Sequence, residues 1–171
     1  MLNKAFSTFP MLTTERLTLR QLSESDVQEI YLLRSDKTIN KFLNRKPSET
    51  LDDALSFIKN IRSNELLYWA ITQTKSEKLV GTICLFDLSD ELSKCEIGYE
   101  LLADHQGKGI MSEALQKVVG FAVDTVGVKT IEAFTHKENH SSTKLLEKLN
   151  FQRINIVEET NPNLLLFRLS N

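Results

Sequence analysis

The sequence predicts an α+β (mixed α/β) fold, a central mixed, mostly antiparallel sheet flanked by helices. Three observations predict it. Apolar residues switch between a period of two and a period of 3.6 in the order strand, helix, helix, three strands, helix, strand, helix, two strands. The three middle strands are joined by short polar turns, T-K-S-E at 74–77 and L-S-D-E-L-S at 88–93, so they form an antiparallel meander. Residues 95–135 then read strand, loop, helix, strand, which makes the sheet mixed.

Each element has a local reason. Residues 15–20, E-R-L-T-L-R, alternate and put Leu17 and Leu19 on one face of a strand. Ser23 with Asp26 three residues on resembles a capping box, with Asp for the usual Glu, and opens a helix with Val27, Ile30 and Tyr31 on one stripe. Residues 37–47 are short, basic and end in proline; they join helices and are placed to line a cleft. Thr50 and Asp53 start a second helix, whose Leu51, Ala54, Leu55 and Ile58 recur at i, i+3, i+4 and i+7. Strands follow at 66–73, 78–87 and 94–102. Residues 111–126 carry the strongest helical pattern, with Leu115, Val118, Val119, Ala122 and Val126 on one face and Gly127 at the stop. A strand at 128–135 and a helix at 141–149 come next, with Asn150 where a left-handed cap belongs. Residues 151–157 and 164–169 are two closing strands around the turn N-P-N.

With 171 residues and no Pro/Gly/Ser-rich linker, one domain over residues 1–171 is the expectation. The chain is 41% hydrophobic and 26% charged, with a formal net charge of -2, so it has no global attraction to nucleic acid or anionic lipid. Any anion must be bound locally. No stretch approaches a membrane span and the first residues lack the apolar run of a secretory signal, so a cytoplasmic location is expected. Cys84 and Cys95 lie in apolar strand-like stretches without CxxC spacing, and read as buried free thiols, not as a metal site, a disulfide or a nucleophile. Monomer and homodimer both stay open.

Two of the six glycines, Gly107 and Gly109, sit in Q-G-K-G-I-M-S-E-A, where a loop enters a helix. The first amides of a helix lack internal partners and carry its partial positive charge, so such a junction binds anions where side chains leave room. Relief of backbone strain in a tight turn is the competing explanation. A P-loop, G-x-x-x-x-G-K-[ST], does not fit, because Gly109 follows Lys108 and Leu102 stands five before Gly107. A dinucleotide G-x-G-x-x-G meets Ser112 at its third glycine and follows a meander, and is kept as the runner-up. The loop also matches Q-x-x-G-x-[GA] through Gln106 and Gly109.

That match is one of six stretches in order. The others are T-E-R-L-T-L-R at 14–20, Y-W-A-I at 68–71, L-V-G-T-I at 79–83, E-I-G-Y at 96–99 and E-N-H-S-S-T-K-L-L-E-K-L-N-F at 138–151. Together they resemble the GNAT superfamily of N-acetyltransferases along nearly the whole chain, most of all the Rim-type branch that acetylates the N-terminal alanine or serine of ribosomal proteins. The resemblance implies a splayed pair of central strands and acetyl-CoA as co-substrate. It assigns the pyrophosphate to amides from Gly107 to Ser112, through Ile110 and Met111, with Gln106 in the motif and Lys108 at the rim. It assigns polarisation of the acetyl carbonyl to an amide near Tyr99 to Leu101, and pantetheine contact to Asn139 and Ser142 of N-x-x-S. Ser142 is the candidate donor to the thiolate, since Leu146 stands where many relatives carry a tyrosine acid. Met111, Ala103 and Asn150 also depart from the general pattern.

Glu96 and Glu100 alternate onto one face of their strand, opposite Ile97, Tyr99 and Leu101. Glu96 is the candidate to draw the amine proton through water, with a solvated surface carboxylate as its equal alternative and the better reading for Glu100. Trp69 is placed in the core or the cleft wall. His105, His136 and His140 are alternative bases without metal-ligand spacing. An α-amino group has a pKa of about 7.7–8.0, whereas a lysine at about 10.4 costs roughly 3 kcal/mol more to deprotonate, so a site without a strong base suits N-termini or weakly basic small amines. Small-amine acceptors (polyamine, antibiotic or amino acid) and a non-catalytic CoA- or dinucleotide-binding module are the alternatives.

Overall fold

A computed structural model describes residues 6–155 and 161–170. Its strands are β1 (Leu12–Thr13), β2 (Leu17–Gln21), β3 (Tyr68–Gln73), β4 (Leu79–Ser89), β5 (Lys94–Leu101), β6 (Thr130–His136), β7 (Gln152–Ile154) and β8 (Leu164–Ser170). The helices are α1 (Val27–Ser35), α2 (Lys37–Asn40), α3 (Leu51–Ser63), α4 (Ile110–Phe121) and α5 (His140–Lys148). The strands form one eight-stranded sheet in the order β1-β2-β3-β4-β5-β6-β8-β7. Only β5 and β6 run parallel, because α4 carries the chain across between them.

The expected caps form. Ser23 and Asp26 exchange both bonds of a capping box ahead of α1, and Thr50 and Asp53 do the same at α3. Asp26 is buried and takes both Nη groups of Arg20 at 2.8 and 2.7 Å, so the box also ties helix to strand. The two sheet faces carry separate cores. Leu17, Leu19, Ile71, Ile83, Ile97 and Phe167 pack with α4, while Ala70 and Leu79 pack with α1 and α3.

Several local expectations shift. On α1 the buried stripe is Ile30 and Leu33, with Val27 and Tyr31 half-buried, and on α3 it is Ala54, Ile58 and Ile61, with Leu51 40% exposed. The strand β1 has only two residues and no readable period. Residues 37–47 contain the single turn α2, capped by Asp36. The long helix ends as α4 at Phe121 and continues as a π turn, Ala122–Val126, before Gly127 stops it at φ 90°. Asn150 is left-handed at φ 65°, as expected. Part of the expected strand 151–157 lies outside the described residues, which show β7. Trp69 is fully buried, donates from Nε1 to Pro10 O at 2.7 Å and packs edge-on against Phe9 and Phe121, which places it in the core and not the cleft wall.

Candidate active site

The parallel pair sets the geometry of the site. Lys94, Cys95 and Glu96 of β5 pair with Thr130, Ile131 and Glu132 of β6, and beyond that register the strands separate. Five residues of β5, about 16 Å of strand, run on from there beside an unpaired edge. Leu102 N–H donates to Val80 O, so by alternation the amides of Tyr99 and Leu101 face away from β4 and into the gap. Leu101 O accepts from Gln106 Nε2 at 3.0 Å, which folds the loop after β5 against the gap's end.

That loop runs through one turn, Ala103–His105, to two left-handed glycines, Gly107 at φ 73° and Gly109 at φ 76°. Gly109 is the N-cap of α4 and offers no side chain, so the first turn has no side-chain cap. A Cβ on Gly107 would meet nothing within 4 Å, and one on Gly109 would lie 3.3 Å from Arg16 Nη2. Ile110 and Met111 bury their side chains in the core below, and Lys108 turns its Nζ to Asp104 O at 2.7 Å. Both glycines are left-handed, and the first turn of α4 has amides with neither an intrahelical partner nor a side-chain cap.

Arg16 is the residue that sequence alone misses here. Its Nη1 donates to Lys108 O at 3.2 Å and its Nε to Glu113 Oε2 at 2.7 Å, while Glu113 Oε1 also accepts from Thr14 and from the Arg16 amide. A half-exposed guanidinium thus stands beside Gly109, steered by a carboxylate in the first turn of α4. The only signal in the sequence is an acidic residue at a helix start. An open cavity of about 730 Å³ adjoins it, bordered also by Ser112, Lys117 and Lys148.

Across the gap, Asn139 caps α5 by accepting from Ser142 N at 3.2 Å. Tyr99 OH and Ser142 Oγ lie 2.8 Å apart, so a hydroxyl pair links β5 to the helix that leaves β6. Burial pushes the Tyr99 phenol up to about 12 despite the bond to Ser142, so it stays protonated at neutral pH. Burial also pushes both free thiols, Cys84 and Cys95, up to about 12, which leaves them poor nucleophiles. Leu146 is fully buried in the core.

On the opposite face, β5 presents Glu96 and Glu100. Glu96 is half-buried, paired across the strands with Phe86 and Glu132. Glu100 is not the surface carboxylate that the alternation predicts. Its side chain is 7% exposed and is gripped by both Nη groups of Arg45 at 3.1 and 2.6 Å. Arg45 belongs to the segment after α2, which also sends Phe42 to stack on His136 of β6 with ring centroids 5.1 Å apart. One short strap is therefore pinned to both strands of the gap. His136 Nδ1 accepts from Glu138 N–H at 3.2 Å, which occupies the lone pair a base would need. His105 and His140 lie before and after the gap, at Ala103–His105 and the start of α5.

An Acetyltransferase (GNAT) domain model matches residues 16–152. The uncharacterized N-acetyltransferase p20 of Bacillus licheniformis is 33% identical over 153 residues, covering 86% of this chain and 85% of that one. The uncharacterized N-acetyltransferase YoaA of Bacillus subtilis is 29% identical over 155 residues, with 88% of each chain covered. Among solved structures, a GNAT-family acetyltransferase from Bacillus anthracis superposes with a TM-score of 0.84 at 20% identity, covering 94% and 98% of the two chains. The microcin C7 self-immunity acetyltransferase MccE, solved with acetyl-CoA and AMP, gives 0.76 at 21%, covering 92% and 94%. A Vibrio cholerae protein provisionally described as a ribosomal-protein-serine acetyltransferase gives 0.78 at 19%, covering 94% and 97%. The chain belongs to the GNAT acetyltransferase family. Within it the protein is an N-acetyltransferase, and acetyl-CoA is its acetyl donor. Among the described residues no helix is long and apolar enough to cross a membrane.

Proposed function

We propose that residues 1–171 form one N-acetyltransferase domain that acetylates a primary amine by direct attack on the thioester, with the N-terminal α-amino group of a protein, ribosomal proteins among them, as the acceptor class. The observation that carries the chemistry is the unpaired edge of β5 ending at the glycine loop. Bound acetyl-CoA supplies an activated carbonyl there. The bare amides from Gly107 to Ser112, with Gln106 holding the loop to Leu101 and Lys108 and Arg16 at the rim, suit its pyrophosphate. The gap-facing amides of Tyr99 and Leu101 suit charge developing on the acetyl oxygen. Asn139 uses Oδ1 as a cap and keeps Nδ2 for the pantetheine arm. Ser142, hydrogen-bonded to the protonated Tyr99, is the donor to the departing sulfur, and Glu96 draws the amine proton through water. The Rim-type assignment is supported by the six sequence stretches and the Vibrio cholerae likeness.

The strap favours a second reading. Phe42 on His136 and Arg45 on Glu100 fasten the strap to both strands of the gap, an arrangement that suits a small amine. Release of free CoA with peptide N-termini and with small amines, scored side by side, distinguishes the two; no release with any amine would overturn both.

Two results are expected. Acetyl-CoA at about 100 times its dissociation constant adds roughly 2.7 kcal/mol to stability and raises the melting midpoint, while NAD leaves it in place; the reverse pattern would restore the dinucleotide reading. Ser142→Ala and Glu96→Gln each lower kcat by about 10²–10⁴-fold with acetyl-CoA affinity nearly intact. A loss under tenfold in single-turnover kinetics reduces either residue to positioning.

A further inference from the structure

The second reading leaves the chemistry of the small amine open, and a cluster beside the strap narrows it. Tyr68 OH and Thr82 Oγ1 lie 3.1 Å apart, Thr82 reaches Glu100 at 3.4 Å, and Glu100 is forked by Arg45, whose Nη2 also meets Leu33 O at 3.3 Å at the end of α1. The next residue, Arg34, brings a second guanidinium to the same place. It stacks over the Phe57 ring at 4.0 Å and its Nε is buried without a hydrogen-bond partner.

The cluster holds two guanidiniums and one carboxylate, and Arg45 has taken both oxygens of that carboxylate. Arg34 has no acidic partner among the described residues. Burial lowers its pKa and the charge of Arg45 lowers it further, and the attraction of Glu100, held by Arg45, does not offset them. Stacking on Phe57 fixes the plane of the guanidinium while its edge stays able to fork a carboxylate or a phosphate. The strap adds charge of the same sign: residues 36–47 contain Lys37, Lys41, Arg45 and Lys46 against Asp36 alone. Glu100 lies in the stretch of β5 beyond its last register with β6, so the cluster borders the gap.

We infer that the small amine of that second reading carries an anionic group, a carboxylate or a phosphate, which Arg34 receives beside the Arg45–Glu100 pair. This rests on the small-amine form of the proposed function. Within that reading the same field works against polyamines and cationic antibiotics.

The test uses the full chain and pairs of amines that differ in the anion, amino acids against their amides and phosphoethanolamine against ethanolamine, each compared per unit of neutral amine because the anion also raises the amine pKa. CoA release gives kcat/KM for each. The anionic member is expected to exceed its neutral partner by about tenfold or more, the size of a charge-assisted hydrogen bond. The amino-acid pair and the phosphate pair separate the two sources of charge. Arg34→Met is expected to bring the ratio to within about twofold of unity through KM. Arg34→Lys, which keeps the charge without the fork, is expected to leave an intermediate ratio. Acetyl-CoA binding by calorimetry checks that each variant is folded. Equal or better turnover of the neutral member overturns the inference and leaves amine acetylation standing, as does a ratio that survives Arg34→Met. Bound acetyl-CoA with no transfer to any amine overturns the small-amine reading itself.

Discussion

Gly109→Val is expected to raise the acetyl-CoA dissociation constant by 100-fold or more and to lower the melting midpoint as well. Gly109 sits at φ 76° and ψ 2°, a conformation a β-branched residue adopts only under strain of about 1–3 kcal/mol. For a chain of this size that strain is worth roughly 2–12 °C. The affinity loss has a separate cause. The new Cβ would stand 3.3 Å from Arg16 Nη2, so the branched side chain pushes the guanidinium aside and covers the amides of the first turn of α4. Gly127→Val separates the two effects, because Gly127 is left-handed at φ 90° with nothing within 4 Å of its would-be Cβ and lies at the far end of the π turn. Both variants should melt earlier, and isothermal titration should find weakened binding only for Gly109→Val. Equal affinity in the two would leave the glycine loop a turn and nothing more.

Glu132→Ala is expected to cost about 1–3 kcal/mol, or roughly 2–12 °C in the melting midpoint. Glu132 is buried at the last paired register between β5 and β6, where it accepts from Lys94 at 2.8 Å and from Arg168 at 2.6 and 3.0 Å. Removing it takes from Lys94 and Arg168 the carboxylate they share at the root of the gap. Burial by itself would raise the Glu132 pKa, but the hydrogen bonds and charges of Lys94 and Arg168 outweigh it and hold the carboxyl below its ordinary value. A folded-state pKa below the unfolded one gives stability that is present above about pH 4.3 and is lost as pH falls through the folded value. Thermal melts between pH 3 and 7 should show the wild type losing stability at the acid end, and Glu132→Ala should lose less over the same range. A variant that melts with the wild type at pH 7 would mean that the triad contributes nothing at the seam.

Much of this was legible from the residues. Ser23 with Asp26 and Thr50 with Asp53 announce helix starts because capping depends on neighbours three residues apart. The meander and the loop–helix junction follow from short turns and a change of period, and Asn139, Ser142 and Tyr99 were singled out by what the resemblance implies. Glu100 was misread because alternation reports which face a side chain takes, not what later covers that face. Arg45 reaches it from a segment with no period. Arg16 and Arg34 were invisible for the same reason: each gains its meaning from a partner brought in by packing, Glu113 for one and Phe57 for the other.

By itself the sequence determined the order of elements and the glycine-bearing loop–helix junction, since these depend on short-range patterning, and its resemblance in six stretches pointed to the family. Only the tertiary structure decided where β5 and β6 part, which carboxylates are neutralised, and that a strap is pinned to both strands by one aromatic and one charged contact. Those are sums over groups far apart in the chain, and burial and Coulomb energies depend on distance in space, which no local period encodes.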